Sequence, residues 1–250
     1  MSDLLTSYDP LPFQLVRSGD MHSLLLICDH AGNHVPKKLK NLGLSCAELE
    51  RHIAFDRGAA EVTKRMSDML GVSSVLANYS RLVIDCNRSP DHEALIPQQS
   101  DGAIIKGNKK ISGAQRQARI DEIYAPYQNV VKSMLEEVDR KFSMPATLVA
   151  IHSFTPKLQK KGKSRPWHIG VCWKKDKKTA RALIEYLRRD KNLVVGDNEP
   201  YALKNTYTLL ENSQNGRPNV LIEIRKDEIS TQQGQKNYAK MLSNFFRLSR

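Results

Sequence analysis

Two histidines stand out by position. His30, in Asp29-His30-Ala31-Gly32-Asn33, and His152, in His152-Ser153, each follow a short apolar run that reads as a β-strand. Two neutral imidazoles with one carboxylate and a water make up a typical catalytic zinc site. The residues alone leave the third ligand open. Asp56, in the turn His52-Ile53-Ala54-Phe55-Asp56 before a helix, is the best suited chemically. Asp29 is a further option, and Asn33 is weaker because a neutral amide ligates zinc poorly beside a carboxylate. The plain alternative is that each histidine is a hydrogen-bonded loop residue. Glu223 lies between apolar neighbours in Leu221-Ile222-Glu223-Ile224-Arg225. Burying a carboxylate uncompensated costs several kcal/mol or more, so this one must be paired, protonated or functional. It is either half of a structural ion pair, with an arginine such as Arg225, or a general base that moves a proton from an attacking water to a leaving amine.

Arg88 and Asn87 end the run Leu82-Val83-Ile84-Asp85-Cys86. A guanidinium there can grip a substrate carboxylate through two parallel hydrogen bonds, unless it forms a surface pair with Asp85 or Asp91. Arg81, before the same run, and Arg165, in Arg165-Pro166-Trp167-His168, are further anion-binding candidates. Either can neutralise the oxyanion of a tetrahedral intermediate. Other templates are missing: there is no phosphate-binding G-x-x-x-x-G-K-[ST], no G-x-G-x-x-G after the first strand, no G-x-S-x-G elbow and no H-E-x-x-H. Metal-assisted hydrolysis is therefore favoured over nucleotide-driven or acyl-serine chemistry.

These residues need a scaffold, and the hydrophobic pattern supplies one. Strands are predicted over residues 22–28, 72–77, 82–86, 146–151, 169–173 and 220–224. Helices are predicted over 59–70 and 179–189, through Ile120, Ile123, Tyr127, Val130, Met134 and Val138, and through Tyr238, Met241, Leu242 and Phe245. Pro126 is expected to kink or divide the long one. Residues 89–111, with their Pro, Asp, Gly and Asn content, read as a loop long enough to be a lid or a substrate-contacting excursion. Alternating strands and helices without a repeat or linker point to one α/β domain over 1–250, a mixed, mostly parallel sheet with helices on both faces. Ligands of such sheets bind beyond the carboxyl ends of the strands, where the polar groups above cluster.

The 250 residues carry 39 Lys+Arg against 27 Asp+Glu, a formal net charge of +12. All of the excess lies in residues 151–250, notably Lys157, Lys160, Lys161, Lys163 and Arg165, then Lys174, Lys175, Lys177 and Lys178. The lysines lack the interleaved aromatics of a single-strand stacking platform, so a solvated face is favoured over a nucleic-acid surface, which is not excluded. No apolar run approaches the roughly 18 residues of a membrane span. Residues 1–10 hold two aspartates and no long apolar core, which argues against a secretory signal. Four scattered cysteines without a C-x-x-C pair read as core thiols of a reducing compartment, the cytoplasm.

Taken together, the motifs resemble the N-formylglutamate amidohydrolase family. Cys28-Asp29-His30-Ala31-Gly32-Asn33 is similar to its first block and Phe55-Asp56-Arg57-Gly58-Ala59 to its second. Ser80-Arg81-Leu82-Val83-Ile84-Asp85-Cys86-Asn87-Arg88 resembles the most specific one. His152-Ser153-Phe154-Thr155-Pro156 with Arg165-Pro166-Trp167-His168-Ile169-Gly170, then Asn198-Glu199-Pro200-Tyr201, then Ile222-Glu223-Ile224-Arg225-Lys226-Asp227 resemble the remainder, in the right order. The resemblance implies a zinc-dependent amidohydrolase with one Zn2+ per chain and a zinc-peptidase-like (phosphorylase/hydrolase-like) fold. It is the fold of the zinc carboxypeptidases and of the aspartoacylase and succinylglutamate desuccinylase group. It makes His30 and His152 ligands, with Asp56 preferred as the third because those relatives have a glutamate ligand where this chain has Asn33. It makes Glu223 the base and Arg81 a catalytic partner, and puts Asn87, Arg88, Arg165 and Tyr201 on the substrate, a small anionic N-acyl amino acid led by N-formyl-glutamate. The alternatives are a carboxypeptidase- or acylase-like hydrolase of a larger peptide or cell-wall amide, and a basic binding protein on a degenerate hydrolase scaffold. Oligomeric state is not set by the sequence.

Overall fold

The computed structural model describes residues 4–157, 164–203 and 206–248. In chain order its strands are β1 (Phe13–Val16), β2 (Leu24–Cys28), β3 (Ser74–Ala77), β4 (Gln99–Ser100), β5 (Ala103–Ile104), β6 (Thr147–Phe154), β7 (Ile169–Cys172), β8 (Val195–Asp197) and β9 (Asn219–Arg225). The α-helices are α1 (Cys46–Leu49), α2 (Ala59–Leu70), α3 (Gly113–Arg119), α4 (Ala125–Phe142), α5 (Lys177–Leu187), α6 (Thr208–Glu211) and α7 (Gln232–Leu248).

Seven strands form one sheet in the order β1-β3-β2-β6-β9-β7-β8. The central four, β3, β2, β6 and β9, are parallel, β7 and β8 run antiparallel to β9, and β1 runs antiparallel to β3. This is the expected mixed, mostly parallel α/β sheet. Leu24-Leu25-Leu26-Ile27-Cys28 is apolar throughout because both faces of β2 are covered. Leu25, Ile27, Leu148, Ala150 and Leu221 pack with α4 on one face; Leu24, Leu26, Val149, Ile151, Val220 and Ile222 pack with α2, α5 and α7 on the other. The period-2 alternation places His152 on the α4 side with Leu148 and Ala150, and Glu223 there with Leu221.

The predicted core strands and helices form, with shifts of one to three residues at their ends. Residues 82–86 are a correction: they form turns rather than a strand. Leu82, Val83 and Ile84 are buried as their apolarity requires, but other groups hold their backbone. Val83 N donates to Ser80 O, Asn108 Nδ2 to Leu82 O and Arg119 Nη1 to Val83 O, so side chains replace a ladder. Loop 89–111 carries a small hairpin of β4 and β5, and its tip is pinned by Arg51 Nη2 donating to Asp101 O at 3.0 Å. The long helix is divided as expected: α3 passes through one π-helical turn, Ile120–Tyr124, into α4, with Pro126 in the first turn of α4. The short, half-exposed edge strand β1 and the three-residue β8 carry too little pattern to be read from sequence.

Candidate active site

β6 extends beyond its predicted end, so His152 lies inside the strand, paired in register with Glu223 on β9. His30 lies two residues past β2, where its carbonyl accepts from Asp56 N at 2.9 Å. Asp56 sits in the turn entering α2, next to Gly58, whose φ of +83° and close approach to Ile229 O leave no room for a side chain. Three segments far apart in sequence thus meet at the carboxyl ends of β2, β6 and β9.

His30, Asp56 and His152 are buried, and each offers one ligand atom within 4.8 Å of the others. The two rings stand edge to face with centroids 4.9 Å apart. Asp56 Oδ2 lies 2.8 Å from His152 Nδ1 and 3.4 Å from His30 Nδ1. The opposite ring nitrogens are held from behind: His30 Nε2 by Asp85 Oδ1 at 2.7 Å, and His152 Nε2 by Asp29 Oδ2 at 3.1 Å. A carboxylate behind each imidazole fixes its tautomer and raises its basicity, the usual support of a metal ligand. His30 Nδ1 is buried without a hydrogen bond, and so is Glu223 Oε2. A buried, unbonded ring nitrogen beside a second imidazole and a carboxylate fits a divalent cation of zinc type.

The charges follow from this packing. Burial alone would raise the Asp56 carboxyl, but His30 and His152 outweigh it and hold it well below the usual range. Asp85 is likewise held low, by Arg81 and His30 against its burial. Burial disfavours a charged His152, but hydrogen bonds from its ring to the Asp29 and Asp56 carboxylates push it up to about 10. Glu223 goes the other way: burial raises it to about 7, with His152 opposing and Asp56 adding to the rise.

His30, Asp56, His152 and Glu223 line a cavity of about 320 Å³ together with His52, Arg81, Asn87, Arg88, Cys172 and Tyr201. Arg81, read from sequence as an oxyanion candidate, spans Asp85 Oδ2 at 3.1 Å and Asp56 Oδ1 at 3.7 Å. Asn87 Oδ1 accepts from Tyr207 N at 2.8 Å, which leaves its amide N–H groups for a ligand. Arg88 lies half-buried with Nε 4.0 Å from Asp85 Oδ2. Arg165 reaches the cavity through Tyr201, its Nη1 donating to Tyr201 Oη at 2.7 Å.

The family model of N-formylglutamate amidohydrolase matches residues 22–230. The chain belongs to the N-formylglutamate amidohydrolase family. Its reaction class is therefore hydrolysis of a carbon–nitrogen bond other than a peptide bond. The gene product Atu2144 from Agrobacterium tumefaciens is 30% identical, with TM-score 0.91, over 98% of this chain and 97% of that one. An N-formylglutamate amidohydrolase from Ralstonia eutropha JMP134 shares the fold at 20% identity and TM-score 0.70, over 96% of this chain and 97% of that one. No curated protein matches at a significant level.

Most of the residues singled out in this amidohydrolase sequence therefore gather in one place. Two of the three alternatives for the third ligand stand apart from the shared centre. Asn33 Nδ2 donates to Leu49 O and Glu50 Oε1, and Asp29 lies behind His152. Arg225 pairs with Asp227 and Glu228 rather than Glu223. Arg88 does lie near Asp85, as one alternative had it. Asp85 was read only as a pairing partner of Arg88 and not as support for His30, although Ile84-Asp85-Cys86 shows the same apolar flanking that marked Glu223. Tyr127, whose hydroxyl donates to Asp29 Oδ1 at 3.1 Å, read only as a core aromatic. Of the basic runs, Lys160, Lys161 and Lys163 lie outside the described residues, and Lys174, Lys175, Lys177 and Lys178 are exposed. No helix among the described residues is long and apolar enough to cross a membrane.

Proposed function

We propose that the chain is a zinc-dependent amidohydrolase that removes the acyl group of a small N-acyl acidic amino acid, with N-formyl-glutamate the leading candidate. One observation carries the reading: His30 Nδ1 and Glu223 Oε2, both buried and unbonded, belong to one cavity that also holds Asn87, Arg81 and Arg88. His30, Asp56 and His152 would hold the zinc, one per chain, which when bound supplies a Lewis acid for the acyl carbonyl and for water. Asp85 and Asp29 orient the two imidazoles, and Arg81 keeps Asp85 ionised.

Glu223 is the general base. Its affinity for a proton, raised by burial to about 7, suits a group that accepts one from water and returns it to the departing amine. Arg88 and the Asn87 amide hold the substrate carboxylate, and a cavity of about 320 Å³ suits a small substrate. The basic second half of the chain favours an anionic substrate mainly through its on-rate. Buried, unpaired Cys28, Cys86 and Cys172 fit a reducing compartment such as the cytoplasm.

The test is metal analysis of the purified protein together with a screen of N-acyl amino acids. About one zinc per chain and turnover abolished by a chelator are expected; catalysis that survives full metal removal would refute the zinc reading.

A further inference from the structure

The roles assigned above leave one part of amide hydrolysis without a side chain of this protein. As water adds to a carbonyl, negative charge develops on its oxygen, and a preorganised donor aimed at that oxygen is often the largest single aid to rate. Arg81 has its guanidinium turned toward Asp85 and Asp56. Tyr201 is placed differently. It stands at the lip of the cavity, 41% exposed, in the same lining as Glu223, Asp56 and Arg81.

The phenol oxygen accepts from Arg165 Nη1 at 2.7 Å, and the guanidinium lies over the ring, 4.8 Å from its centroid. Arg165 is anchored in turn, since Nη1 also donates to Thr155 O at 3.3 Å just past β6. A phenol that accepts from a cation keeps its own proton to donate elsewhere, and the cation makes that proton a better donor. The phenol stays neutral, because burial raises it, the Glu223 carboxylate raises it further, and Arg165 only partly opposes.

The backbone beneath is held at several points. Asn198 N donates to Val171 O at 2.9 Å, Asn198 Oδ1 accepts from Trp173 N at 2.8 Å, and Cys172 Sγ donates to Tyr201 O at 3.0 Å. Glu199 O sits so close over β7 and β8 that a Cβ on Gly170 or Gly196 would collide with it. Both sheet glycines thus seat the segment that presents Tyr201.

We propose that Tyr201 is a catalytic residue whose O–H donates a hydrogen bond to the acyl oxygen as it becomes an oxyanion, and that Arg165 is the positioning residue that directs the phenol. The inference rests on the amidohydrolase reading above. Water oxygen bonds to the acyl carbon, the carbonyl π pair moves to oxygen, and the water proton goes to Glu223. On collapse the pair returns, the C–N bond breaks, and Glu223 passes the proton to nitrogen. Tyr201 keeps its proton throughout.

The experiment uses full-length, zinc-loaded protein and N-formyl-L-glutamate. Tyr201→Phe is expected to lower kcat about 100-fold with KM changed less than about threefold. Arg165→Met should lower kcat about tenfold, and the double variant should be no slower than Tyr201→Phe, because the arginine acts through the phenol. By calorimetry, Tyr201→Phe should bind glutamate as wild type does and a phosphonate analogue of the tetrahedral state about 100-fold more weakly. Wild-type turnover with Tyr201→Phe equally fast, or with only KM raised, overturns this inference alone. A wild-type protein that hydrolyses no N-acyl acidic amino acid overturns the amidohydrolase reading and this inference with it.

Discussion

Two buried knots of charge grip the same stretch of chain, residues 80–88, and they are built on opposite rules. In the first, Arg119 is 1% exposed, and its Nη1 donates to Val83 O at 2.8 Å and to Asn108 Oδ1 at 2.7 Å. Asn108 Nδ2 in turn donates to Leu82 O and Pro97 O, both at 2.7 Å. Every acceptor is a neutral oxygen. Burial lowers the Arg119 guanidinium to about 10, so it remains charged at neutral pH. In the second knot Asp29, Asp56, Asp85 and Glu223 surround His30 and His152, and the buried groups left over are His30 Nδ1 and Glu223 Oε2, on residues that line the cavity. The first knot turns most of its donors onto Asn108 and backbone, holds 82–84 in a turn, and leaves unbonded only a donor, Arg119 Nε, on a residue that does not line the cavity. The second leaves acceptors waiting for a cation or a proton. Buried donors turned onto backbone carbonyls hold a fold together; buried acceptors left open toward a cavity mark chemistry.

The sharpest test of that contrast is Glu223→Gln. It should cut kcat about 1000-fold while metal content stays at the wild-type level, since the amide keeps the shape and loses the base. Full activity in this variant would break the assignment of the second knot. Arg119→Met should do the reverse. It strands Val83 O and Asn108 Oδ1 and should lower unfolding stability by about 3 kcal/mol in urea titrations, with kcat per folded molecule unchanged. A large fall in activity without a fall in stability would mean that the two knots are not separable.

Asp85→Ala lies where the knots meet. Without the carboxylate behind His30 Nε2, zinc affinity measured by competition with a chromophoric chelator should fall about 10- to 100-fold. Unchanged affinity would remove Asp85 from the metal's support.

The smallest effect comes from a partly exposed pair that belongs to neither knot. Arg217 Nη2 meets Asp139 Oδ2 at 2.6 Å, and that hydrogen bond holds the Asp139 carboxyl below its usual value. A depressed carboxyl stabilises the fold above its unfolded pKa of about 3.9, and the contribution is lost as pH falls through the lower folded value. Wild-type protein should therefore melt a few degrees above Asp139→Asn at about pH 6, and the gap should close below about pH 4. A gap independent of pH would show that the ion pair contributes nothing.

The central strands were legible because a strand buried on both faces must be apolar along its length, as 24–28 and 220–222 are. Glu223 was legible for the converse reason, since a carboxylate in such a run demands an explanation. Residues 82–86 misled because apolarity reports burial and not backbone geometry, and the groups that turn them, Asn108 and Arg119, lie 22 or more residues away. Asp85 and Tyr127 were missed because their roles consist of contacts with His30 and Asp29 that no local pattern encodes.

Chain chemistry by itself determined which groups can bind a cation, move a proton or hold an anion, because those capacities belong to side chains, and their order along the chain was enough to indicate the family. Tertiary structure alone decided that His30 Nδ1 is the imidazole nitrogen left without a hydrogen bond, that Asp56 rather than Asn33 or Asp29 stands between the rings, and that Arg165 acts on the cavity through Tyr201. Those outcomes depend on a few ångströms between residues up to 123 positions apart, as His152 and Asp29 are, and only the packed sheet and its loops set such distances.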